Sequence, residues 1–276
     1  MTSDAIVRQT TREVRVGGAN IHVTEWGDGP AVLLLHGNPD SGLMWEEVAQ
    51  RLGRSCRCVA PDLPGFGHSE VPAGYQPSPD GMADFVEQFV RAASINSPID
   101  LIAHDFGGPF AFAWAVKHSG SVRRMVAINT VFFSDYRWHF WAYVWRTPLL
   151  GELSMAVMNR PMFAQELRRG SARISDAHID QTWALMTPRM KKQVLRLYRA
   201  ANPASFKSWE SDFLALTAAK PTLVIWGDKD PYISPRFAER FNARRVLHLR
   251  QTGHWAPVES PVECADAILQ FFAEAG

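Results

Sequence analysis

The spacing of apolar positions along this chain switches repeatedly between strand-like runs and helical periods. Residues 12–16 and 19–25 read as two strands parted by Gly17-Gly18, a hairpin signal. Ala31-Val32-Leu33-Leu34-Leu35 is a continuous apolar run of strand length, as a buried parallel strand requires. Residues 43–53 read as helix and 57–60 as a short strand. Residues 80–94 then carry Met82, Phe85, Val86, Phe89 and Val90 at helical spacing. A strand over 99–103, a helix over 110–116 and a strand over 124–128 follow. Strands return at 221–226 and 245–249, and a helix over 262–273 closes the chain. Strands alternating with helices predict an α/β fold built on a doubly wound, mostly parallel sheet.

One stretch breaks the alternation. From Val131 to about Asp212 the patterns are helical, with no convincing strand. The expected organisation is therefore a core of residues 1–130 and 213–276, interrupted by a helical lid over 131–212. Ligands of open α/β sheets bind outside the carboxyl ends of the strands, where such an insertion would sit. Trp138, Trp141 and Trp145 fall near one helix face. Packing of lid on core accounts for that face, and part of it, with Trp141, is expected to line an apolar substrate pocket.

Composition narrows the partners. The formal net charge is +1, with 46% hydrophobic and 21% charged residues, so no field for nucleic acid or acidic partners is implied. No apolar run approaches the length of a membrane span. Met1-Thr2-Ser3-Asp4 lacks a basic-then-apolar targeting signal. Cys56, Cys58 and Cys264 form neither a disulfide framework nor a zinc-ligand pattern. The expectation is a cytoplasmic protein without metal or cofactor, nucleic acid or membrane partner. Monomer and homodimer both stay open.

The candidate chemistry centres on Ala103-His104-Asp105-Phe106-Gly107-Gly108, between a strand and a helix. A turn that tight demands small neighbours, and it lifts Asp105 clear of the sheet at a helix start, where unpaired N–H groups favour negative charge. By itself, Asp105 could equally be a helix N-cap. The pattern resembles the nucleophile elbow of the α/β-hydrolase superfamily, with Asp where most members carry Ser. Over nearly its whole length the chain resembles the Asp-nucleophile branch, which contains epoxide hydrolases and haloalkane dehalogenases. The likeness is strong in the core and weak in the lid.

The resemblance implies roles in the family order of nucleophile, acid and histidine. Asp105 would be the nucleophile. Asp230, in Gly227-Asp228-Lys229-Asp230-Pro231, would be the acid, with Asp228 as the competing candidate. His254, in Thr252-Gly253-His254-Trp255, would be the base. His36-Gly37-Asn38-Pro39 resembles the family's HGxP loop, so the backbone N–H groups of Asn38 and Phe106 would form the oxyanion hole. His36 reads as structural. A carboxylate is already ionised at neutral pH and suits displacement at sp3 carbon, giving an alkyl ester. His254 would then activate the water that hydrolyses that ester, while Asp230 orients the imidazole.

The leaving group divides the branch. Dehalogenases hold halide with two side-chain N–H donors. Asn38 matches the first, but Phe106 stands where the second, a Trp, is found, and phenyl has no N–H. An epoxide leaves as an alkoxide and needs an acid, which epoxide hydrolases supply from lid tyrosines. Tyr198-Arg199 resembles the late-lid Tyr-Arg pair, and Tyr143 is the first-lid candidate, with Tyr136 as its alternative. The resemblance therefore implies an epoxide hydrolase making vicinal diols from small neutral apolar epoxides and water. Haloalkane dehalogenase is the runner-up, followed by carbon–carbon bond or ester hydrolases and by non-catalytic receptors on the same fold. An intact Asp105, His254 and Asp230 set argues against a receptor.

Overall fold

The computed structural model describes residues 6–275; Met1–Asp4, read above for a targeting signal, lie outside that range. The chain opens with β1 (Gln9–Val16) and β2 (Ala19–Trp26), joined by a two-residue turn in which Gly17 and Gly18 both take positive φ, +55° and +83°. Turns of that kind match the twist of a hairpin and exclude most side chains. Then come β3 (Ala31–Leu35), α1 (Glu46–Leu52), β4 (Arg57–Pro61) and α2 (Pro79–Ala92). Ser78 starts α2 by accepting the N–H of Gly81, with Pro79 in the first turn. Next follow β5 (Ile99–His104), α3 (Gly107–Lys117) and β6 (Val122–Ile128).

Between β6 and the next strand the chain is helical: α4 (Phe140–Arg146), α5 (Leu150–Val157), α6 (Arg160–Gly170), α7 (Asp176–Leu185), α8 (Pro188–Ala200) and α9 (Lys207–Ala219). The core resumes with β7 (Thr222–Gly227) and β8 (Arg245–Leu249) and ends in α10 (Ala256–Glu259) and α11 (Pro261–Glu274). The eight strands form one sheet in the order β1-β2-β4-β3-β5-β6-β7-β8. β2 runs antiparallel to β1 and β4, and every other neighbouring pair is parallel. Helices cover both faces, so every residue of the central strands β5 and β7 is buried. That is why these strands read as unbroken apolar runs rather than alternating ones.

The expected elements fall within a few residues of the observed ones. One boundary differs: residue 212 lies inside α9, which packs against α3 on the flank of the sheet. A helix is one cooperative unit, so the insertion ends before Lys207 and α9 goes with the core. Contacts across the two parts include buried polar ones. Asp40, after β3, accepts from Trp255 Nε1 within the core (2.7 Å) and pairs across with His178 Nε2 of α7 (2.9 Å). The N–H of His254 donates to the carbonyl of Gly170 at the end of α6 (2.8 Å).

Candidate active site

The residues singled out above converge where β3, β5, β6 and β7 end. Asp105 sits at φ +49°, strained for a residue with a side chain. The turn is held by Thr130, whose hydroxyl donates to the Asp105 carbonyl at 2.6 Å. It also needs two glycines. A Cβ on Gly37 would lie 2.3 Å from Asp105 Oδ1, and one on Gly107 would lie 2.1 Å from the Leu35 carbonyl oxygen. The backbone N–H of Asn38 donates to Asp105 Oδ1 at 2.8 Å, and His254 Nε2 faces Oδ2 at 3.5 Å. His36 does hold its loop: Nδ1–H donates to the Gly37 carbonyl and Nε2 accepts from the N–H of Leu63, each at 2.8 Å. Phe106 is the N-cap residue of α3, and its ring lines the cavity above Asp105.

Of the two candidate acids, Asp230 meets the histidine. Its Oδ2 accepts from His254 Nδ1–H at 2.7 Å, and its Oδ1 accepts the N–H groups of Tyr232 (2.7 Å) and Ile233 (3.0 Å). Asp228 turns away and pairs with His248 at 2.6 Å. Two further residues support the site though neither is given a role above, Asn129 outside any motif and His104 within the elbow stretch. Asn129, at the end of β6, donates from Nδ2 to Asp230 Oδ2 (2.9 Å). His104 donates from Nε2–H to the carbonyl of His254 (2.9 Å). Only their position at strand ends could have flagged them.

The electrostatics are those of a buried ion pair. Burial opposes the charge on His254, but the carboxylates of Asp230 and Asp105 on either side outweigh it and raise the imidazole to about 10. Burial likewise opposes charge on Asp105, and the hydrogen bond and charge of His254 pull it down to about 2. Around neutral pH the resting pair is carboxylate and imidazolium. An uncharged Asp105 removes one of the two anions that hold the proton on His254. Asp105→Asn is therefore expected to lower the pKa of His254 by about one to three pH units, the usual effect of a charge this close. NMR titration of the imidazole resonances measures it, and an unchanged value would show that Asp105 does not hold the proton.

The cavity above Asp105 is walled by aromatic and apolar side chains from both parts of the chain, Trp138, Trp141 and Trp145 among them. Tyr198 reaches it from α8, whose residues Met190, Val194 and Leu197 share its buried face. Tyr143 does not reach it. It is 58% exposed on the outer side of α4, one helix face away from the cavity, so it is not the first-lid tyrosine. Tyr136 lines the cavity, but its hydroxyl donates to the carbonyl of Tyr232 (3.3 Å). The group that stands beside Tyr198 is His139, at the start of α4.

The His139 ring can be assigned a tautomer from its partners. Nδ1 accepts the N–H of Ala142 (3.4 Å) as the N-cap of α4, so the proton of the neutral ring is on Nε2. Burial first, against the opposing charge of Asp105, lowers this ring to about 4 and keeps it neutral. Nε2–H then donates to the Tyr198 oxygen at 3.3 Å, and Asn38 Nδ2 approaches the same oxygen at 3.5 Å. With two N–H groups aimed at its oxygen, the hydroxyl of Tyr198 keeps its own proton for a ligand. Nothing in the aromatic run around Trp138 marks His139 as different from its neighbours in sequence.

Comparison with known proteins agrees with this architecture. Residues 30–182 match the family model described as alpha/beta hydrolase fold. Haloalkane dehalogenase 2 of Mycobacterium bovis is 30% identical over 267 residues, covering 91% of each chain. Among solved structures, the haloalkane dehalogenase DbeA of Bradyrhizobium elkani superposes with a TM-score of 0.83 at 24% identity, covering 97% of this chain and 99% of its own. An epoxide hydrolase, CorEH, superposes with a TM-score of 0.81 at 21% identity, covering 98% and 100%. With strand order, elbow and these matches in agreement, the chain belongs to the α/β-hydrolase superfamily and is a hydrolase of that family.

Proposed function

We propose that this protein is an epoxide hydrolase that turns small, neutral, apolar epoxides into vicinal diols through an ester on Asp105, with residues from 131 onward up to α9 as the lid. The observation that carries this reading is the Tyr198 hydroxyl, whose oxygen faces Asn38 Nδ2 and His139 Nε2–H and whose proton is free for the cavity. Asp105 Oδ1 stays on the N–H of Asn38 while Oδ2 attacks a ring carbon. The carbon–oxygen bond of the ring breaks, and the departing alkoxide takes the Tyr198 proton. The two N–H groups stabilise the phenolate left behind, which offsets the burial that holds this phenol well above its ordinary pKa.

The ester cancels the charge of Asp105, and with it part of what holds the proton on His254. His254 releases its proton to solvent, and the Tyr198 phenolate takes one back. The neutral imidazole then takes a proton from water as the water oxygen adds to Asp105 Cγ; the alkoxide expelled in the next step takes the proton of the newly added hydroxyl. The oxyanion forms on Oδ1, against the N–H of Asn38. Collapse of that intermediate releases the diol and restores the carboxylate, with Asp230 opposite the imidazolium. The base is thus switched on by the first half-reaction.

A dehalogenase reading draws on the relatives named above and on Asn38. It lacks a second N–H donor at Phe106, whose ring edge is only weakly positive. Incubation with a styrene-oxide-like epoxide and, separately, with a 1-haloalkane tests the assignment. Diol formation without halide release is expected. Halide release without diol would assign the site to alkyl halides.

A further inference from the structure

Nine large apolar side chains are exposed among the described residues, and seven of them fall between Phe140 and Met162 on α4, α5 and α6. α4 packs against α5, so the six of these side chains on those two helices and the N-cap of α5 lie together on the lid, whose other faces line the cavity; Met162 of α6 lines the cavity itself. On α5, Leu150 (47% exposed), Leu153 (59%) and Val157 (54%) fall at three- and four-residue intervals and make a ridge along one face, with Leu149 (82%) exposed at its N-cap. Leu149 is held at φ +67°, ψ −44°, a conformation that costs a side-chain-bearing residue energy, and it points its side chain into water. The Leu149 N–H, held by Glu152 Oε2 at 2.9 Å, caps α5 within the chain, but nothing within the chain covers the Leu149 side chain.

From this patch we infer that the protein is a two-fold symmetric dimer in which the α5 ridge of one copy packs against the α5 ridge of the other. The fractional exposures of these six side chains amount to roughly 600 Å² of largely apolar surface on one chain, most of the ~800 Å² per partner that a stable interface buries. A single ridge facing its own copy is self-complementary, as an isologous contact requires. Arg160 and Arg199 at the border are neutralised by Asp180 and Glu152, which favours protein over lipid, while Arg146 and Lys191 keep their charge but are anchored to backbone carbonyls. The partner copy then braces the outer side of the helices that wall the cavity.

The inference is independent of the substrate, so its test contains none. Sedimentation of the full chain at tens of micromolar is expected to give twice the 30.9 kDa of one chain. Leu153→Arg, which sets like charges across the axis, is expected to give single chains with unchanged circular dichroism. Val262→Arg, at an exposed apolar site on α11 outside the patch, is expected to leave the dimer intact. A second variant guards against misfolding. Cys56, Cys58 and Cys264 are buried, so Leu153→Cys supplies an accessible thiol, and mild oxidation is expected to cross-link pairs. Wild type that sediments as single chains would overturn the inference, as would a dimer indifferent to Leu153→Arg. Single chains that float with phosphatidylglycerol vesicles, and lose that binding in Leu153→Arg, would reassign the patch to a membrane surface.

Discussion

Replacing His254 by Gln is expected to stop turnover at the covalent ester and to lower steady-state diol formation by roughly 10³-fold or more, the scale of losing a positioned general base. Asp105 needs no base to ionise, so its alkylation continues in the variant. Intact-mass analysis after mixing with the epoxide should show one substrate mass added, and peptide mapping should place it on Asp105. In the wild type, the two half-reactions should part with pH. Asp105, held at about 2, stays an anion across the working range, so alkylation persists as the solution is acidified. Ester hydrolysis needs neutral imidazole and slows as pH falls through the pKa that His254 has in the ester. Single-turnover measurements resolve the two. A His254→Gln protein that consumes epoxide without gaining mass would remove Asp105 from the role of nucleophile.

Tyr198→Phe is expected to lower epoxide opening by roughly 10²-fold, since an alkoxide that departs without a proton is a poor leaving group. The neighbours refine the prediction. His139→Phe keeps the bulk of the ring but removes the N–H aimed at the Tyr198 oxygen, so it should slow opening by a smaller factor and leave ester hydrolysis untouched. Tyr143→Phe should change nothing, because that hydroxyl lies on the outer surface of α4. Asn38→Ala should be milder than Tyr198→Phe, because the backbone N–H of residue 38, which holds Asp105 Oδ1, remains. If Tyr198→Phe opens epoxides at the wild-type rate, the proton comes from elsewhere, and His139 is the next group to test.

These effects trace back to different levels of the molecule. The strands and the composition of the elbow are legible in the chain, because apolar runs of strand length and small residues at a tight turn are local signals. Apolar runs such as Ala31–Leu35 are long enough only for a strand buried on both faces. Gly37 and Gly107 are legible as small residues of two turns, but the atoms they make room for, Asp105 and the Leu35 carbonyl, belong to the neighbouring strand end and only the fold brings them there. The order Asp105, Asp230, His254 was legible, since each follows the end of a core element. What the tertiary structure alone decided is which side chains face one another across long separations. Asp228 and Asp230 share one turn, and only the packing of the loop after β8 shows that the second lies against His254. Tyr143 and His139 stand four residues apart on or beside the same short helix. His139 is the N-cap, with extended rather than helical backbone, so the four-residue rule does not bring it onto the face of Tyr143; contact with Tyr198 of α8 puts His139 inside and leaves Tyr143 in water. That residue 212 falls inside α9 was likewise hidden, since α9 shows its place only by the α3 surface it covers. Periodicity reports which face of an element is buried, and contact between elements reports what it is buried against. Catalysis depends on the second.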